Sequence, residues 1–544
     1  MVRRALFVVV AIGIMLMALG GCATPTPQIV EKEITKVVEK PVEKVVEKVV
    51  TATPVPVAPT VAPTAAPKPV AKYMFVFIGD GMAAAQRNSA ELYLAATKSA
   101  TARPEETRLL MNTFPAQGMN TTYDLTSVIP DSASTGTAIA SGYKTASGVV
   151  GMDPAGKVSY ETIAEYAKKQ GWKVGVVSSV SLDHATPAAF YAHQSSRSKY
   201  YEIANDMINS NFDYFEGGGL LQPKGAKGDQ TEVLDTAKTK GYAVVKTRAD
   251  FDKLTPASGK VIAINEKLQD SNAIEYDMDR AQGTLSLTDF TRKGIELLDN
   301  PKGFFLMVEG GKIDWSCHAN DAAASIRDTL ALDTAIAEAY KFYQARPKET
   351  LIIVTGDHET GGMTIGFAGT QYSAFFDRIQ NQKMSYVAFN DKLAEFKKAK
   401  GPEAKFADIV PLIQDAFGLI VMSKEDRAAL VEKAKTDKDA AKKLGMVLSD
   451  VELKTVQDAF AETIKDAKLR ATDEYTYLLY GGYEPLTVKL TTILNQKAGI
   501  GWTSYSHTGV PVQTSAVGVN AETFNGYYDQ PDIYKKMMVI AGFK

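Results

Sequence analysis

The chain has 544 residues, of which 45% are hydrophobic and 9% aromatic, and its formal net charge is −2. This composition is typical of globular proteins and excludes a wholly disordered, a collagen-like or a multispan membrane protein. The near-neutral charge gives no electrostatic reason to expect nucleic-acid binding. Two cysteines exclude a disulfide framework, and with only five histidines any metal site must rely largely on carboxylates.

Residues 1–22 have the pattern of an export signal, because Arg3 and Arg4 precede the apolar run Ala5–Leu19. The Leu-Gly-Gly-Cys sequence that ends at Cys22 resembles the bacterial lipobox. This resemblance implies cleavage before Cys22 and lipidation of its thiol; an ordinary signal peptide or a single membrane anchor is the alternative. Acyl chains on Cys22 would anchor the protein to the cell membrane, facing the periplasm or the exterior, since each buried methylene contributes about 0.8 kcal/mol.

Residues 23–70 are rich in proline, lack aromatic side chains and contain Val-Glu-Lys repeats between Val30 and Val50. The Pro/Ala/Thr part favours a semi-rigid polyproline-II spacer. The valine spacing is compatible with a weak amphipathic helix, although valine is a poor helix former and Pro41 interrupts the pattern. We interpret this segment as a tether, with a coiled-coil stalk as the alternative.

Residues 71–544 alternate continuous apolar runs with amphipathic segments. Buried strands are predicted at Tyr73–Ile78 and near residues 173–181, 304–310 and 350–359, and helices at about 159–170 and from near Ala319. Continuous apolar strands that alternate with helices indicate an α/β fold, with a central, mostly parallel sheet covered by helices on both faces.

Each predicted strand ends on polar residues of the kind that bind ligands. In such sheets, ligands bind beyond the carboxyl ends of the strands. An acidic residue at the end of one strand is common, but four predicted strands that all end on acids or histidines are much less common. The residues are Asp80, Asp183 and His184, Glu309, and Asp357 and His358.

The segment from about 367 to 475 is rich in Lys, Ala, Glu and Asp and has helical spacing. It separates Asp357 and His358 from the last polar motif of the chain. We interpret it as a helical insertion within the domain of residues 71–544. A solvated structural role is expected, and a lid or a partner contact is the alternative.

Two further motifs point to chemistry. Small residues crowd around Ser132 before a small-residue helix, where backbone N–H groups and the helix dipole would stabilise an anion. A serine there needs activation by a base or a metal; helix packing is the alternative. Asp314 and His318 lie four apart on one face of a helix start, which suits a divalent metal, with a surface ion pair as the alternative.

Taken together and in order, these motifs resemble those of the alkaline phosphatase family. The order begins with a strand followed by Asp80, and continues with Asp-Ser-Ala-x-x-x-Thr-Ala from Asp131. It ends with Ala-Thr-Pro around Thr186, Arg197, Glu309-Gly-Gly-x-Ile-Asp-x-x-x-His, Thr-Gly-Asp-His and a late His507-Thr-Gly. The resemblance runs from about Tyr73 to the C-terminus, interrupted by the insertion, and implies an alkaline-phosphatase-like fold.

The resemblance implies a role for each matching residue. Ser132 is the expected nucleophile that becomes phosphoserine, and Arg197 is the expected phosphate clamp. Two Zn²⁺ and one Mg²⁺ are the expected cofactors. Their expected ligands are Asp314, His318 and His507 for the first zinc, Asp80, Asp357 and His358 for the second, and Asp80, Thr186 and Glu309 for magnesium.

Two residues depart from the family pattern. His184 stands where some members have an acid beside the third metal, and Trp315 stands where others have Lys or His. His184 leaves the third metal less certain, because neutral imidazole suits zinc better than magnesium. Trp315 is either a hydrophobic wall for the substrate or simple packing.

We further expect His193 to share a helix face with Arg197 in a structural role, and Cys317 to be a buried free thiol.

The expected activity is metal-dependent hydrolysis of phosphate monoesters with an alkaline optimum, in a protein exported from the cytoplasm. The family commonly forms homodimers, so a homodimer is one possible state. A related phosphodiesterase or sulfatase is the first alternative, although Ser132 with Arg197 favours monoesters and the sulfatase maturation sequence is missing. A lipid-anchored solute-binding protein is the second alternative.

Overall fold

The computed structural model describes residues 70–99 and 103–543. The predicted signal segment with Cys22, and the tether up to residue 69, lie outside the described residues. Within the described ranges, no helix combines the length and apolarity that a membrane span requires.

A mostly parallel sheet of ten strands runs through the centre of the described part of the chain. The strands are β1 (Tyr73–Gly79), β2 (Ala116–Thr121), β3 (Lys173–Ser178), β4 (Tyr214–Gly217), β5 (Tyr242–Val245), β6 (Lys260–Ile264), β9 (Phe304–Gly310), β10 (Thr350–Gly356), β15 (Val512–Gly518) and β16 (Gly526–Asp529). From one edge to the other, the strand order is β16-β2-β15-β10-β1-β9-β3-β4-β6-β5.

Six two-residue strands form three small antiparallel pairs among the described residues. They are β7 (Leu268–Gln269) with β8 (Ala273–Ile274), β11 (Glu359–Thr360) with β14 (His507–Thr508), and β12 (Thr364–Ile365) with β13 (Ile500–Gly501). The pair β11–β14 fastens the segment that follows β10 to the late His507 motif.

Helices cover both faces of the sheet. Those of the first half of the chain are α1 (Ala84–Lys98), α2 (Ser132–Ser141), α3 (Ile163–Lys169), α4 (Ala185–Ala188), α5 (Tyr200–Asn209), α6 (Val233–Thr239) and α7 (Arg248–Asp252). Those that follow are α8 (Leu287–Leu298), α9 (Lys312–His318), α10 (Ala322–Ala345), α11 (Tyr386–Lys400), α12 (Phe406–Phe417), α13 (Lys424–Ala434), α14 (Lys438–Met446), α15 (Asp450–Ile464), α16 (Glu474–Tyr480), α17 (Pro485–Ala498) and α18 (Pro531–Ala541).

Short 3₁₀ helices complete the connections. They span Pro104–Glu106, Leu110–Thr113, Pro256–Ser258, Ala368–Thr370, Phe376–Asn381, Ala467–Leu469 and Ala521–Phe524. The predicted fold class, α/β with a central sheet and helices on both faces, is confirmed. Helices also fill most of the predicted insertion, from α11 to α16, and no strand lies between residues 367 and 475 of the described chain.

The register of the three central strands aligns their carboxyl ends. β1 lies between β9 and β10 and runs parallel to both, so that Gly79 pairs with Gly310 on one side and with Gly356 on the other. All seven residues of each strand are buried. Because the strands stop at one level, the residues that directly follow them converge at a single edge of the sheet.

The structure differs from the sequence prediction in two places. The helix predicted at about 159–170 is shorter, because Thr162 caps α3 by accepting a hydrogen bond from the N–H of Glu165. The sheet also contains β15, which runs antiparallel to both β10 and β2. Five of its seven residues are buried, so the strand lacks the alternation of buried and exposed positions that marks a half-exposed strand.

An aromatic cluster fills the core beneath the central strands. The ring of Phe304 lies 5.3 Å from that of Tyr73, 5.1 Å from that of Phe75 and 5.4 Å from that of Phe342. Tilted and edge-on contacts of this kind add to the free energy gained from burial alone. The cluster connects β1 and β9 to α10, and so supports the strands that carry Asp80 and Glu309.

Phe304→Ala is therefore expected to lower the free energy of unfolding by about 3–5 kcal/mol, because it removes a large buried ring and leaves a cavity. The measurement is the midpoint of chemical denaturation. Tyr372→Ala is the matched control, since that ring is fully exposed, and it should leave the midpoint unchanged. Equal midpoints for the two variants would contradict the proposed importance of the cluster.

Candidate active site and metal centre

The candidate site lies at the carboxyl ends of β1, β9 and β10. Asp80 directly follows β1, Glu309 is the penultimate residue of β9, and Asp357 directly follows β10. Gly81 makes this approach possible: its φ is +70°, and a Cβ there would lie 2.8 Å from Thr360 Oγ1 and 2.9 Å from Asp314 Cα. The backbone N–H of Gly81 donates to Asp357 Oδ1 over 3.1 Å.

Asp314, His318 and His507 form the first group of candidate metal ligands. Asp314 Oδ1 lies 3.4 Å from His318 Nε2 and 3.6 Å from His507 Nε2, and the two ring nitrogens lie 3.1 Å apart. Each imidazole bonds a backbone carbonyl through its Nδ1. His318 bonds the carbonyl of Tyr505 over 2.7 Å, and His507 bonds that of Pro130, also over 2.7 Å. These contacts direct Nε2 of both rings toward Asp314, as in metal-binding histidines.

Asp80, Asp357 and His358 form a second group, next to Ser132. His358 Nε2 lies 3.2 Å from Asp80 Oδ1, 3.4 Å from Asp357 Oδ2 and 3.1 Å from Ser132 Oγ. The ring of His358 is stacked on that of His507 with centroids 3.7 Å apart. The stacked rings join the first two groups into one centre.

Ser132 is the first residue of α2, as the sequence predicted. Asp131 caps this helix by accepting a hydrogen bond from the N–H of Ser134 over 3.1 Å. The hydroxyl of Thr135, one turn on, donates to Asp357 Oδ2 over 3.2 Å. The hydroxyl of Ser132 therefore lies where the helix N-terminus faces the second group, a position that stabilises negative charge.

Arg197 points to the same place from an irregular segment between α4 and α5. Its Nη1 donates to Asp131 Oδ2 over 3.0 Å, and its Nη2 lies 3.3 Å from His184 Nε2. The backbone N–H of Arg197 is held by the carbonyl of Gly148 over 2.7 Å. The guanidinium is thus oriented by the residue that precedes Ser132.

Asp80, His184 and Glu309 form a third group. Thr186 adds a hydroxyl, which donates to Asp80 Oδ2 over 3.2 Å. His184 was expected beside this group, and its ring belongs to it directly. Glu309 accepts a hydrogen bond from the hydroxyl of Ser178 at the end of β3, so four neighbouring parts of the chain contribute to the group.

The side chains alone crowd several acids into a buried space. Burial and the repulsion of Asp357 raise the pKa of Asp80 well above its usual value. Burial also raises the pKa of Glu309 to about 8 and that of Asp357 to about 7. Burial opposes ionisation of Asp314 too, but the neighbouring His318 and its hydrogen bond hold that pKa well below the usual range.

The histidines divide by their surroundings. Burial lowers the pKa of His184 to about 3, with the charge of Arg197 acting in the same direction. Burial and the neighbouring His507 lower the pKa of His358. Burial opposes protonation of His318 as well, but Asp314 raises its pKa to about 9. Both His184 and His358 are therefore neutral, and neutral imidazole is the form that binds metals.

Bound cations fit this arrangement. Asp80 Oδ1, Glu309 Oε1 and His184 Nδ1 are buried and have no hydrogen-bond partner among the described residues. Unpartnered buried oxygens are costly unless a ligand satisfies them. Carboxylate, hydroxyl and imidazole donors in this combination suit zinc and magnesium, and divalent cations would offset the repulsion among the acids.

The sequence also led to predictions for Trp315, Cys317 and His193. Trp315 packs edge-on to His184, with ring centroids 5.5 Å apart. Cys317 is a buried free thiol that contacts Ser325 Oγ over 3.3 Å, as expected. The prediction that His193 and Arg197 share a helix face is wrong, because residues 193–199 form no helix.

His193 instead bridges two parts of the chain away from the centre. Its Nδ1 bonds the carbonyl of Gly151 and its Nε2 bonds Glu165 Oε1, each over 2.8 Å. These contacts agree with the structural role expected of it. They connect the segment before Arg197 to α3 and to the loop after α2.

Two positioning residues were not singled out from the sequence. Asp131 orients Arg197, and its place directly before a helix that starts at Ser132 was an available signal, since aspartate is a preferred N-cap. Thr360 donates to Asp314 Oδ1 over 2.5 Å and contacts His358 Nδ1 over 3.3 Å. No sequence signal marks Thr360, because the pairing of β11 with β14 brings it there.

Comparisons with known proteins point to one family. The family model described as alkaline phosphatase matches residues 71–543. Among curated proteins, alkaline phosphatase 3 of Bacillus subtilis is 29% identical over 478 residues, which are 86% of this chain and 88% of that protein. The human tissue-nonspecific alkaline phosphatase isozyme is 30% identical over 337 residues, which are 53% of this chain and 63% of that protein.

A solved structure agrees with these matches. The cold-active alkaline phosphatase from the psychrophile Shewanella sp. superposes with a TM-score of 0.67 at 26% identity. The superposition covers 86% of this chain and 99% of that chain. The likeness therefore extends over most of the chain.

Metal removal should make stability depend on pH in a defined direction. The folded-state pKa values of Glu309 and Asp357 are raised above those of unfolded carboxyls, so their contribution to stability is present at low pH and is lost as pH rises through about 7 to 8. In chelator-treated protein, the melting temperature should fall between pH 5 and 9. Added Zn²⁺ and Mg²⁺ should raise it most at the alkaline end.

Asp357→Asn tests the cause, because it removes one of the buried carboxyls whose pKa is raised. It should flatten the pH dependence of the melting temperature in chelator-treated protein. Asp153→Asn is the control, since Asp153 is only half-buried and backbone hydrogen bonds lower its pKa. A melting temperature that rises with pH in metal-free protein would contradict this account.

Proposed function

The chain belongs to the alkaline phosphatase family, and we propose that it hydrolyses phosphate monoesters through a phosphoserine formed on Ser132. The observation that carries the proposal is the position of Ser132 Oγ, at a helix N-terminus and 3.1 Å from His358 Nε2. A serine needs such surroundings to act as a nucleophile.

The ligand sets would hold two zinc ions and one magnesium ion. Asp314, His318 and His507 would bind the first zinc, Asp80, Asp357 and His358 the second, and Asp80, Thr186 and Glu309, with His184 beside them, the third ion. When bound, such ions supply charge neutralisation for the entering and leaving oxygens of an in-line displacement.

Ser132 performs the covalent step in this proposal. Its Oγ attacks phosphorus, a new P–O bond forms, and the ester P–O bond breaks as the alcohol leaves. Water then cleaves the phosphoserine, so that inorganic phosphate leaves and the hydroxyl is restored. The N-terminus of α2 faces the negative charge that develops on Oγ and on the phosphoryl oxygens.

Arg197 holds the phosphoryl group during both steps. A guanidinium donates two parallel hydrogen bonds to phosphate oxygens, which a lysine does not. Asp131 and His184 fix its orientation through Nη1 and Nη2. The combination of Ser132 with Arg197 supports monoesters over diesters, because a monoester offers more charged terminal oxygens to the clamp.

The protein is proposed to act outside the cytoplasm, anchored through a lipid on Cys22. The export pattern of residues 1–22 and the Pro-rich segment after it support this placement. A solute-binding protein is no longer a competing interpretation, since the chain belongs to a family of enzymes.

Ser132→Ala should remove nearly all turnover of a chromogenic phosphate monoester, because no other hydroxyl lies within hydrogen-bond distance of His358 Nε2 in the described chain. Metal content, measured by elemental analysis, should stay that of the parent protein. Chelation should abolish parental turnover, and a matched diester should be cleaved far more slowly. Wild-type turnover by Ser132→Ala would exclude the covalent mechanism.

His184→Asp should increase the activation of the enzyme by Mg²⁺. An aspartate would add an oxygen ligand to the third group in place of an imidazole, and magnesium prefers oxygen. The measurement is turnover against Mg²⁺ concentration at fixed Zn²⁺, and His193→Asp is the control outside the group. An unchanged Mg²⁺ dependence in His184→Asp would show that His184 does not govern the third ion.

A further inference from the structure

A large cavity lies away from Ser132, where the end of α1, the 3₁₀ helix Phe376–Asn381 and α14 meet. Its volume is about 850 Å³. Five cationic side chains and one carboxylate line it, and we call it the basic groove. These residues are Lys98, Arg378, Lys438, Lys442, Lys443 and Asp377.

The basic groove and the catalytic centre lie at opposite ends of one helix. α1 begins three residues after Gly81, whose N–H binds Asp357, and ends at Lys98. A helix of 15 residues is about 22 Å long. A ligand confined to the groove therefore cannot contact Ser132 at the same time unless it is long.

None of the five cations of the basic groove forms an ion pair within 4.0 Å of a carboxylate among the described residues. Lys98 Nζ and Arg378 Nη1 donate to the backbone carbonyls of Glu106 and Lys497, which carry no net charge. No carboxylate lies within 4.0 Å of the three lysines of α14 among the described residues. By contrast, nine of the other fourteen lysines between residues 383 and 497 have such a partner: Lys383, Lys392, Lys400, Lys424, Lys433, Lys435, Lys454, Lys465 and Lys497.

Arg378 is held in place rather than free on the surface. Its guanidinium lies 3.9 Å from the ring centroid of Phe375 and packs against Gly445, where a Cβ would lie 2.7 Å from Nη2. Burial lowers the pKa of Arg378, so water satisfies this cation only in part. Asp377 and Glu452 act on Arg378 only from beyond 4.0 Å. A partly desolvated cation with no carboxylate in contact attracts an anion more strongly than a solvated one.

We propose that the basic groove binds a linear chain of phosphate groups at a site separate from the catalytic centre. Its volume exceeds what a single phosphate ion fills and lies within the range of ligand pockets. Four of the five cations are lysines, which bind phosphate as point charges without a fixed geometry. Dense, flexible negative charge suits such a set better than one rigid carboxylate does.

Two other classes of anion match the shape and composition of the groove less well. An anionic membrane is flat and would contact only the rim of a concave cavity. An acidic peptide carries at most one carboxylate per residue, that is one per about 3.3–3.6 Å of extended chain, and so presents its charge less densely than a phosphate chain does. Both classes are outcomes of the test below.

The test measures the binding of fluorescently labelled linear polyphosphate by anisotropy. The protein carries Ser132→Ala and Arg197→Ala, which prevent hydrolysis and weaken phosphate binding at the catalytic centre. Adding Lys438→Glu, Lys442→Glu and Lys443→Glu should weaken binding about tenfold or more and reduce its salt dependence. The matched control reverses three lysines of the neighbouring α13 region, Lys424→Glu, Lys433→Glu and Lys435→Glu, and should change binding less than about twofold.

Lys98→Glu lies on a different element and should weaken binding in the same direction, which guards against misfolding of α14. Turnover of a chromogenic monoester by the otherwise native Lys438→Glu/Lys442→Glu/Lys443→Glu protein should match the parent. The proposal is overturned if polyphosphate does not bind, or if the α13 control loses binding equally. It is also overturned if polyglutamate or vesicles of phosphatidylglycerol bind the groove as tightly as polyphosphate does.

Discussion

The central constraint on this structure is the mutual repulsion of buried carboxylates at the ends of three adjacent strands. Asp80, Glu309 and Asp357 are fully buried, and the aligned register of β1, β9 and β10 brings them to one edge. Burial and repulsion raise their pKa values, so without cations the folded state opposes their ionisation. Cations bound at the centre would offset the repulsion among these carboxylates and so favour their ionised form.

Hydrogen bonds from other parts of the chain hold the candidate metal ligands in the orientation that a bound cation requires. Backbone carbonyls of Tyr505 and Pro130 bind the outer nitrogens of His318 and His507, and Thr360 holds Asp314. These partners come from segments far apart in the chain, so the centre depends on the complete fold. The aromatic cluster packs the amino-terminal halves of β1 and β9 against α10, and the register of the strands keeps their carboxyl ends level.

The polarity of the two ends of α1 is complementary. At its start, acids concentrate negative charge that bound cations would neutralise. At its end, lysines and Arg378 concentrate positive charge that the described chain leaves without carboxylate partners. One helix thus separates a centre proposed to act on phosphate esters from a groove proposed to hold a phosphate chain.

Much of the fold and of the site follows from the sequence alone. The buried strands were predictable because continuous apolar runs are required on a sheet covered on both faces, and the acids after them because ligands gather at carboxyl ends. Ser132, with the ligand types around it, was predictable from the order of short motifs. These features depend on neighbouring residues, which a sequence displays directly.

Other features were decided only by the tertiary structure, because they depend on contacts between distant segments. The antiparallel β15, the pairing that brings Thr360 to Asp314, the membership of His184 in the third group and the hold of Asp131 on Arg197 are of this kind. The basic groove is another, since Lys98 and α14 are more than 300 residues apart. The sequence determined which chemistry was available, and the packing of the sheet decided which groups meet.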